Sequence, residues 1–90
     1  MASPAEVAND MAAHGQYWDK RDRRIALACR QAASLIRAFL AGERVDGRTY
    51  GGLHARLLRL EARGANLQGY PNFFRARETL SALYAKPRVR

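Results

Sequence analysis

The sequence predicts an all-α fold, a small single-domain bundle of about four helices with a long central second helix. A chain of 90 residues is long enough for one compact domain and too short for two. Its apolar residues recur at helical spacings of three and four, and no segment alternates as a strand would. The hydrophobic fraction of 48% is typical of a folded chain. We expect residues 1–85 to form the domain and residues 86–90 to form a short basic tail.

The first helix is predicted from its capping box. Ser3 is followed by Pro4, which suits the first helical position, and by Glu6, whose side chain can reach back to the backbone of Ser3. The pattern predicts a short helix that runs to about residue 13 and is closed by Gly15.

The second helix has the strongest periodic signal. Asp19 is its expected N-terminal cap and Gly42 follows its end, so the helix is predicted over about 19–41. Such a helix would be about 34 Å long and would serve as the element against which the others pack. Its apolar residues form one stripe: Ile25, Cys29, Ala32, Ile36 and Phe39.

Two shorter helices are predicted in the C-terminal half. Three glycines between residues 43 and 52 indicate a loop, with Thr49 as the candidate cap of a third helix that ends at Gly64. Residues 65–71 then form a connector, and Pro71 is expected in the first turn of a fourth helix. The inner faces of these two helices carry Leu53, Leu57, Leu60, Phe73, Ala76, Leu80, Leu83 and Tyr84.

Five large apolar or aromatic side chains are expected to be buried. Trp18, Phe73 and Tyr84 are assigned to the core because a chain of this size has few other large side chains to bury. Leu27 and Leu58 point away from the apolar stripes of their helices, which is compatible with a partner surface. We favour burial within the monomer for both.

The charge distribution predicts an anionic partner. Sixteen Lys and Arg residues face eight Asp and Glu residues, for a net charge of +8, and fourteen of the bases are arginines. Residues 1–18 contain no base and carry a net charge of −2, so all the positive charge lies in residues 19–90. The planar guanidinium group suits phosphate and carboxylate ligands.

The basic residues fall into three groups. Positively charged side chains crowd the start of the second helix, where their charge opposes the helix dipole. A bound anion would relieve this repulsion, although Asp19 can also pair with Arg23. Arginines at a spacing of seven on that helix predict a basic ridge opposite the apolar stripe. A row of arginines on the third helix would join this ridge if the two helices pack side by side. The groups are Lys20, Arg21, Arg23 and Arg24 at the helix start; Arg23, Arg30 and Arg37 on the ridge; and Arg56, Arg59 and Arg63 on the third helix.

Each basic group also has a simpler interpretation as the solvated face of a helix. Tyr50 and Tyr70 also have two interpretations. They are candidate aromatic contacts for nucleotide bases and equally candidate anchors at a protein interface.

Several classes of function are excluded or disfavoured. One cysteine permits no internal disulfide, and the sequence contains no signal peptide and no apolar run long enough to span a membrane, so we expect a cytoplasmic protein. His14 and His54 belong to no metal-binding motif, and no nucleophile lies beside a base, so we expect no metal, no cofactor and no catalysis. The connector after Gly64 is too long for a helix-turn-helix.

Two functional hypotheses follow. The first is a small basic helical accessory protein that binds nucleic acid, DNA or RNA, mainly through the phosphate backbone. The second is a non-enzymatic adaptor or inhibitor of bacterial or phage type, for example an anti-defence protein. Its basic surface would dock on an acidic protein surface or on the nucleic-acid-binding site of a partner. A homodimer is a candidate assembly in both cases.

Overall fold

The described part of the chain folds into four α-helices. The computed structural model describes residues 2–64 and 69–85, in which the helices are α1 (Pro4–Trp18), α2 (Arg23–Leu40), α3 (Gly47–Arg63) and α4 (Phe73–Ala85), with no strand in those ranges. Helix α2 contacts each of the other three, most extensively α1. The predicted all-α bundle is confirmed, and α2 is its central helix. The predicted tail, 86–90, lies outside the described residues, as do residues 65–68 of the predicted connector.

The core is a single cluster of apolar side chains to which every helix contributes. Met11, Ile36, Leu57 and Phe73, one from each helix, are at most 1% exposed. The predicted stripe of α2 is confirmed, because its residues from Ile25 to Ile36 are buried in this cluster. The inner faces predicted for α3 and the first part of α4 are buried there too: Leu53, Leu57, Leu60, Phe73, Ala76 and Leu80.

Helix α1 is longer than predicted and continues to Trp18. The capping box is confirmed: the Ser3 hydroxyl accepts the backbone N–H of Glu6 at 3.2 Å, and the Glu6 carboxylate accepts that of Ser3 at 2.8 Å. Gly15 does not end the helix. It lies inside α1, where the absence of a side chain allows α2 to pack closely. A Cβ at this position would lie 3.0 Å from Cγ of Arg30 on α2.

Helix α2 begins four residues later than predicted because Asp22 caps it. The Asp22 carboxylate accepts the backbone N–H groups of Arg24 at 3.0 Å and of Ile25 at 3.4 Å. The prediction that Asp19 is the cap and pairs with Arg23 is wrong. Asp19 lies in the turn before α2, where its carboxylate pairs with Arg30 at 2.9 Å.

Helix α3 begins at Gly47, within the segment that was predicted to be a loop. Asp46 is the cap, and its carboxylate accepts the backbone N–H of Thr49 at 3.4 Å. Thr49 is therefore inside the helix. Gly51 and Gly52 lie inside it too, and each lowers the stability of the helix by up to ~1 kcal/mol relative to alanine. The Asp46 cap and the packing of the leucine face on the core offset this loss. The predicted end at Gly64 is confirmed.

Gly64 leaves space for an aromatic ring. A Cβ on Gly64 would lie 2.0 Å from the ring of Tyr70, whose hydroxyl donates to the Leu60 carbonyl at 2.8 Å. The Tyr70 ring also meets Trp18 and Phe73 edge to face, with centroids 6.0 and 5.5 Å away. This contact joins the end of α3 to α1 and to the start of α4.

Helix α4 begins at Phe73, so the prediction that Pro71 lies in its first turn is wrong. Instead, the side chain of Asn72 accepts the backbone N–H of Arg75 at 2.9 Å, as a capping residue does. Pro71 is buried immediately before this turn.

Three of the five predictions of burial are wrong. Leu27, Leu58 and Tyr84 are 46%, 48% and 45% exposed, whereas Phe73 is buried as predicted and Trp18 is half-buried. Leu27 on α2 and Leu58 on α3 remain exposed because each lies off the buried face of its own helix.

The central position of Ile36 predicts a large loss of stability on truncation. Ile36→Ala should lower the free energy of unfolding by about 2–5 kcal/mol, because it removes a fully buried side chain and leaves a cavity. Leu58→Ala, a matched truncation at an exposed site, should change it by less than about 0.5 kcal/mol. Chemical denaturation of both variants measures the difference, and equal stabilities would contradict the assigned core.

The two kinds of glycine environment predict opposite effects of alanine. Gly64→Ala should destabilise the protein by about 2–4 kcal/mol, because the new methyl group displaces the Tyr70 ring and its hydrogen bond. Gly51→Ala should stabilise it by about 0.5–1 kcal/mol, because nothing lies near that position within the helix. Thermal melting of both variants checks the signs, and a stabilising Gly64→Ala would contradict the packing of Tyr70.

Burial predicts that the single cysteine is unreactive. Burial, with a smaller contribution from Asp10, raises the pKa of Cys29 from 9.0 to about 12. At pH 8 the thiolate should therefore be about 1,000-fold scarcer in the native protein than in the unfolded chain. A thiol reagent at pH 8 should modify Cys29 only after denaturant is added. Rapid modification of the native protein would contradict this environment.

Candidate functional site

The main candidate site is a groove between α2 and α3. The six residues between these helices turn the chain back, so the start of α2 lies beside the end of α3. Two adjoining depressions, which share Gln31 and Arg56, run along the helix pair. We call their combined surface the arginine groove. It is lined by Arg24, Leu27, Gln31, Ser34 and Leu35 of α2 and by Arg48, Thr49, Gly52, Leu53, Arg56, Arg59, Leu60 and Arg63 of α3.

Helical spacing brings the arginines of α3 to one wall. Positions 48, 52, 56, 59 and 63 are separated by three or four residues and therefore share a face of the helix. All of them are arginines except Gly52. From Arg48 to Arg63 the row extends about 22 Å along the axis, and Arg24 faces its far end from α2.

No acidic residue lines the arginine groove. Its five arginines form no ion pair within the described part of the chain. Two arginines outside the groove are paired with carboxylates: Arg30 with Asp19 and Arg77 with Glu61, each at 2.9 Å, and the hydrogen bond to Glu61 raises the pKa of Arg77. Arg56 donates to the side-chain oxygen of Gln31, a neutral partner on the other wall of the groove.

The floor of the groove is apolar. Leu60 is 7% exposed and Leu27 is 46% exposed, and both lie among Arg24, Arg59 and Arg63. A cleft that combines charges of one sign with low-dielectric walls focuses the electrostatic field and concentrates ligands of opposite charge. The groove is therefore suited to an extended anion.

The predicted helix-start group is divided by the structure. Arg24 belongs to the arginine groove, and Arg23 lines its continuation beside Arg63, Tyr70 and the acidic cap Asp22. Lys20 and Arg21 lie in the turn before α2. The guanidinium of Arg21 is 4.0 Å from the Tyr17 ring centroid and donates to the Tyr17 carbonyl at 2.8 Å.

The N-terminus of α2 already holds a carboxylate. The sequence suggested that its unpaired N–H groups would favour a bound anion, but the Asp22 side chain accepts two of them. Only Arg23 and Arg24 of the predicted group lie in the first turn.

The predicted ridge does not join the row on α3. Arg30 pairs with Asp19, and Arg37 donates to the side chain of Asn9 at 3.0 Å. Both arginines line a separate depression between α1 and α2. The ridge was expected opposite the core, but α1 packs along this flank of α2 and its polar groups engage the ridge. The arginine groove lies on the other flank.

The two candidate aromatic contacts are already engaged within the fold. Tyr50 stacks on Tyr84 with ring centroids 4.1 Å apart, and its hydroxyl is 3.0 Å from that of Ser81. Tyr70 is fixed by its hydrogen bond to Leu60, and burial raises its pKa. Neither therefore presents an unengaged ring to the groove.

Sequence reasoning missed Arg48 and Gln31. Arg48 continues the row of α3 at a helical spacing, but the glycines around it predicted a loop, so its place in the row was not recognised. Gln31 lies one turn from Leu27 on α2, and nothing in the sequence shows that it meets Arg56.

The described residues support no metal chemistry and no membrane span. No group of three His, Cys, Asp or Glu side chains in residues 2–64 and 69–85 is arranged to hold a metal ion. None of the helices in those ranges combines the length and the apolar character that crossing a bilayer requires.

Comparisons with protein-family models, with curated proteins and with solved structures found no match to this chain.

Proposed function

We propose that this protein binds nucleic acid, DNA or RNA, through the phosphate backbone, and that the arginine groove is the contact surface. The observation that carries the proposal is a set of five groove arginines that form no ion pair among the described residues, four of them in a row about 22 Å long on α3 and Arg24 facing them from α2. Arginine binds phosphate through two parallel N–H donors. The groove supplies such donors repeatedly along one direction, as a polyanion requires.

The remaining predicted residues have a secondary role in this proposal. Arg23 extends the groove at its Tyr70 end, and Lys20 and Arg21 add positive charge at the same end of α2. Arg30 and Arg37 contribute only to the long-range attraction, because their guanidinium groups are already bound by Asp19 in the turn after α1 and by Asn9 on α1.

The apolar floor supports a second candidate function, a non-enzymatic adaptor or inhibitor that docks on an acidic protein. Leu27 is 46% exposed inside a ring of arginines. An amphipathic helix with acidic flanks would cover this leucine and neutralise the arginines around it. This partner would bind at low salt with a defined stoichiometry and would be displaced by nucleic acid.

The proposal predicts a steep salt dependence. If five phosphates are neutralised, the affinity for DNA should fall about 500-fold between 50 and 200 mM salt, because the logarithmic slope is about −0.9 per contact. Fluorescence anisotropy with a labelled 20-base-pair duplex measures the slope. The absence of binding at 50 mM salt would contradict nucleic-acid binding and leave the acidic protein as the candidate partner.

Removing one arginine from the groove should lower that slope by about 0.9. Arg63→Gln is the test variant. Arg75→Gln is its control, because Arg75 is an exposed arginine of α4 outside the groove walls and also forms no ion pair among the described residues. Both variants lose the same charge, so equal effects would show that net charge, and not the groove, determines the affinity.

A further inference from the structure

We infer that the ligand of the arginine groove is a nucleic-acid duplex, held by the backbone of one strand without contacts to the bases. This inference rests on the proposed function and names the class of nucleic acid. It depends on the concave shape of the groove, on the engagement of the exposed rings elsewhere, and on the hydrogen bond that holds Arg56 at the groove.

The shape of the site favours a convex ligand. Elements that read bases protrude, since a helix or a β-ribbon must enter the major groove to reach the base edges. Here Arg24, Arg56 and Arg63 surround a depression whose floor is Leu27 and Leu60. A depression between two helices accommodates a protruding part of a ligand. The sugar–phosphate backbone of a duplex protrudes in this way. The bases, which lie inside the duplex, remain out of reach.

The exposed aromatic rings are engaged away from the groove. Proteins that bind single strands stack bases on aromatic side chains, at about 1–3 kcal/mol per base. Tyr17 and Phe74 lie against Arg21 and Arg77 at 4.0 and 5.4 Å, and Tyr84 lies against Tyr50. None of these rings lines the described walls of the arginine groove, so a single strand would gain little there beyond its phosphate contacts.

One arginine of the groove is held before binding. Gln31 accepts a hydrogen bond from the guanidinium of Arg56, and Leu60 of the floor is packed in the core. A guanidinium held in place favours a ligand whose own charges are already regularly spaced, because a flexible strand must lose conformational entropy to match it. A duplex also carries one charge per about 1.7 Å of its axis and releases more counterions per contact than a single strand.

The experiment compares four labelled ligands at 50 mM salt by fluorescence anisotropy: a 20-base-pair DNA duplex, one of its strands, an unrelated DNA duplex and an RNA duplex. Five contacts give salt slopes of about −4.5 for a duplex and −3.5 for a single strand, so a duplex should bind about tenfold or more tightly. The two DNA duplexes should agree within about threefold, since each specific base contact would add discrimination of about 1–3 kcal/mol. Preference for either the DNA or the RNA duplex over the single strand supports the inference.

A single strand that binds as tightly as the duplexes would overturn the inference while leaving the proposed function intact. A strong preference for one DNA duplex sequence over the other would overturn the absence of base contacts. Failure of all four ligands to bind would instead contradict nucleic-acid binding itself. As a control, Tyr17→Ala and Phe74→Ala should leave every affinity within about twofold, because neither ring is a stacking platform.

Discussion

The close packing of α1 on α2 is the contact on which the rest of the structure depends. Small residues on both helices allow it: a Cβ on Gly15 would lie only 3.0 Å from Cγ of Arg30, and Ala26 and Ala33 of α2 are buried. With one flank of α2 covered in this way and its apolar stripe packed in the core, α3 docks beside the other flank. The groove between α2 and α3 is a consequence of that arrangement.

The same contact gives two arginines of α2 their acidic or polar partners. Helix α1 and the turn that follows it bring Asn9 and Asp19 to Arg37 and Arg30. No acidic residue lines the walls that α3 and the far side of α2 contribute. The basic residues of α2 are therefore divided: Arg30 and Arg37 lie on the flank that binds α1, and Arg24 lies on the flank that lines the groove. Net charge alone does not distinguish these two environments.

The sequence predicted the features that depend on local chemistry. The Ser3–Glu6 capping box, the stripe from Ile25 to Ile36 and the end of α3 at Gly64 follow from residue type and helical period, and all are confirmed. The errors arose where packing overrides a local preference. Gly15 and the glycines of α3 were interpreted as chain breaks, although a neighbouring helix or a strong cap keeps them helical. For the same reason, the row from Arg48 to Arg63 was recognised only in part.

The most direct test of the central claim is an NMR titration of the arginine side chains with a DNA duplex at low salt. The account predicts that the Nε–Hε signals of Arg24, Arg56, Arg59 and Arg63 shift most, while those of Arg30 and Arg77, which are paired with carboxylates, change little. Shifts concentrated on Arg30 and Arg37 would place the ligand on the α1 side of α2. That result would contradict the assignment of the arginine groove as the binding surface.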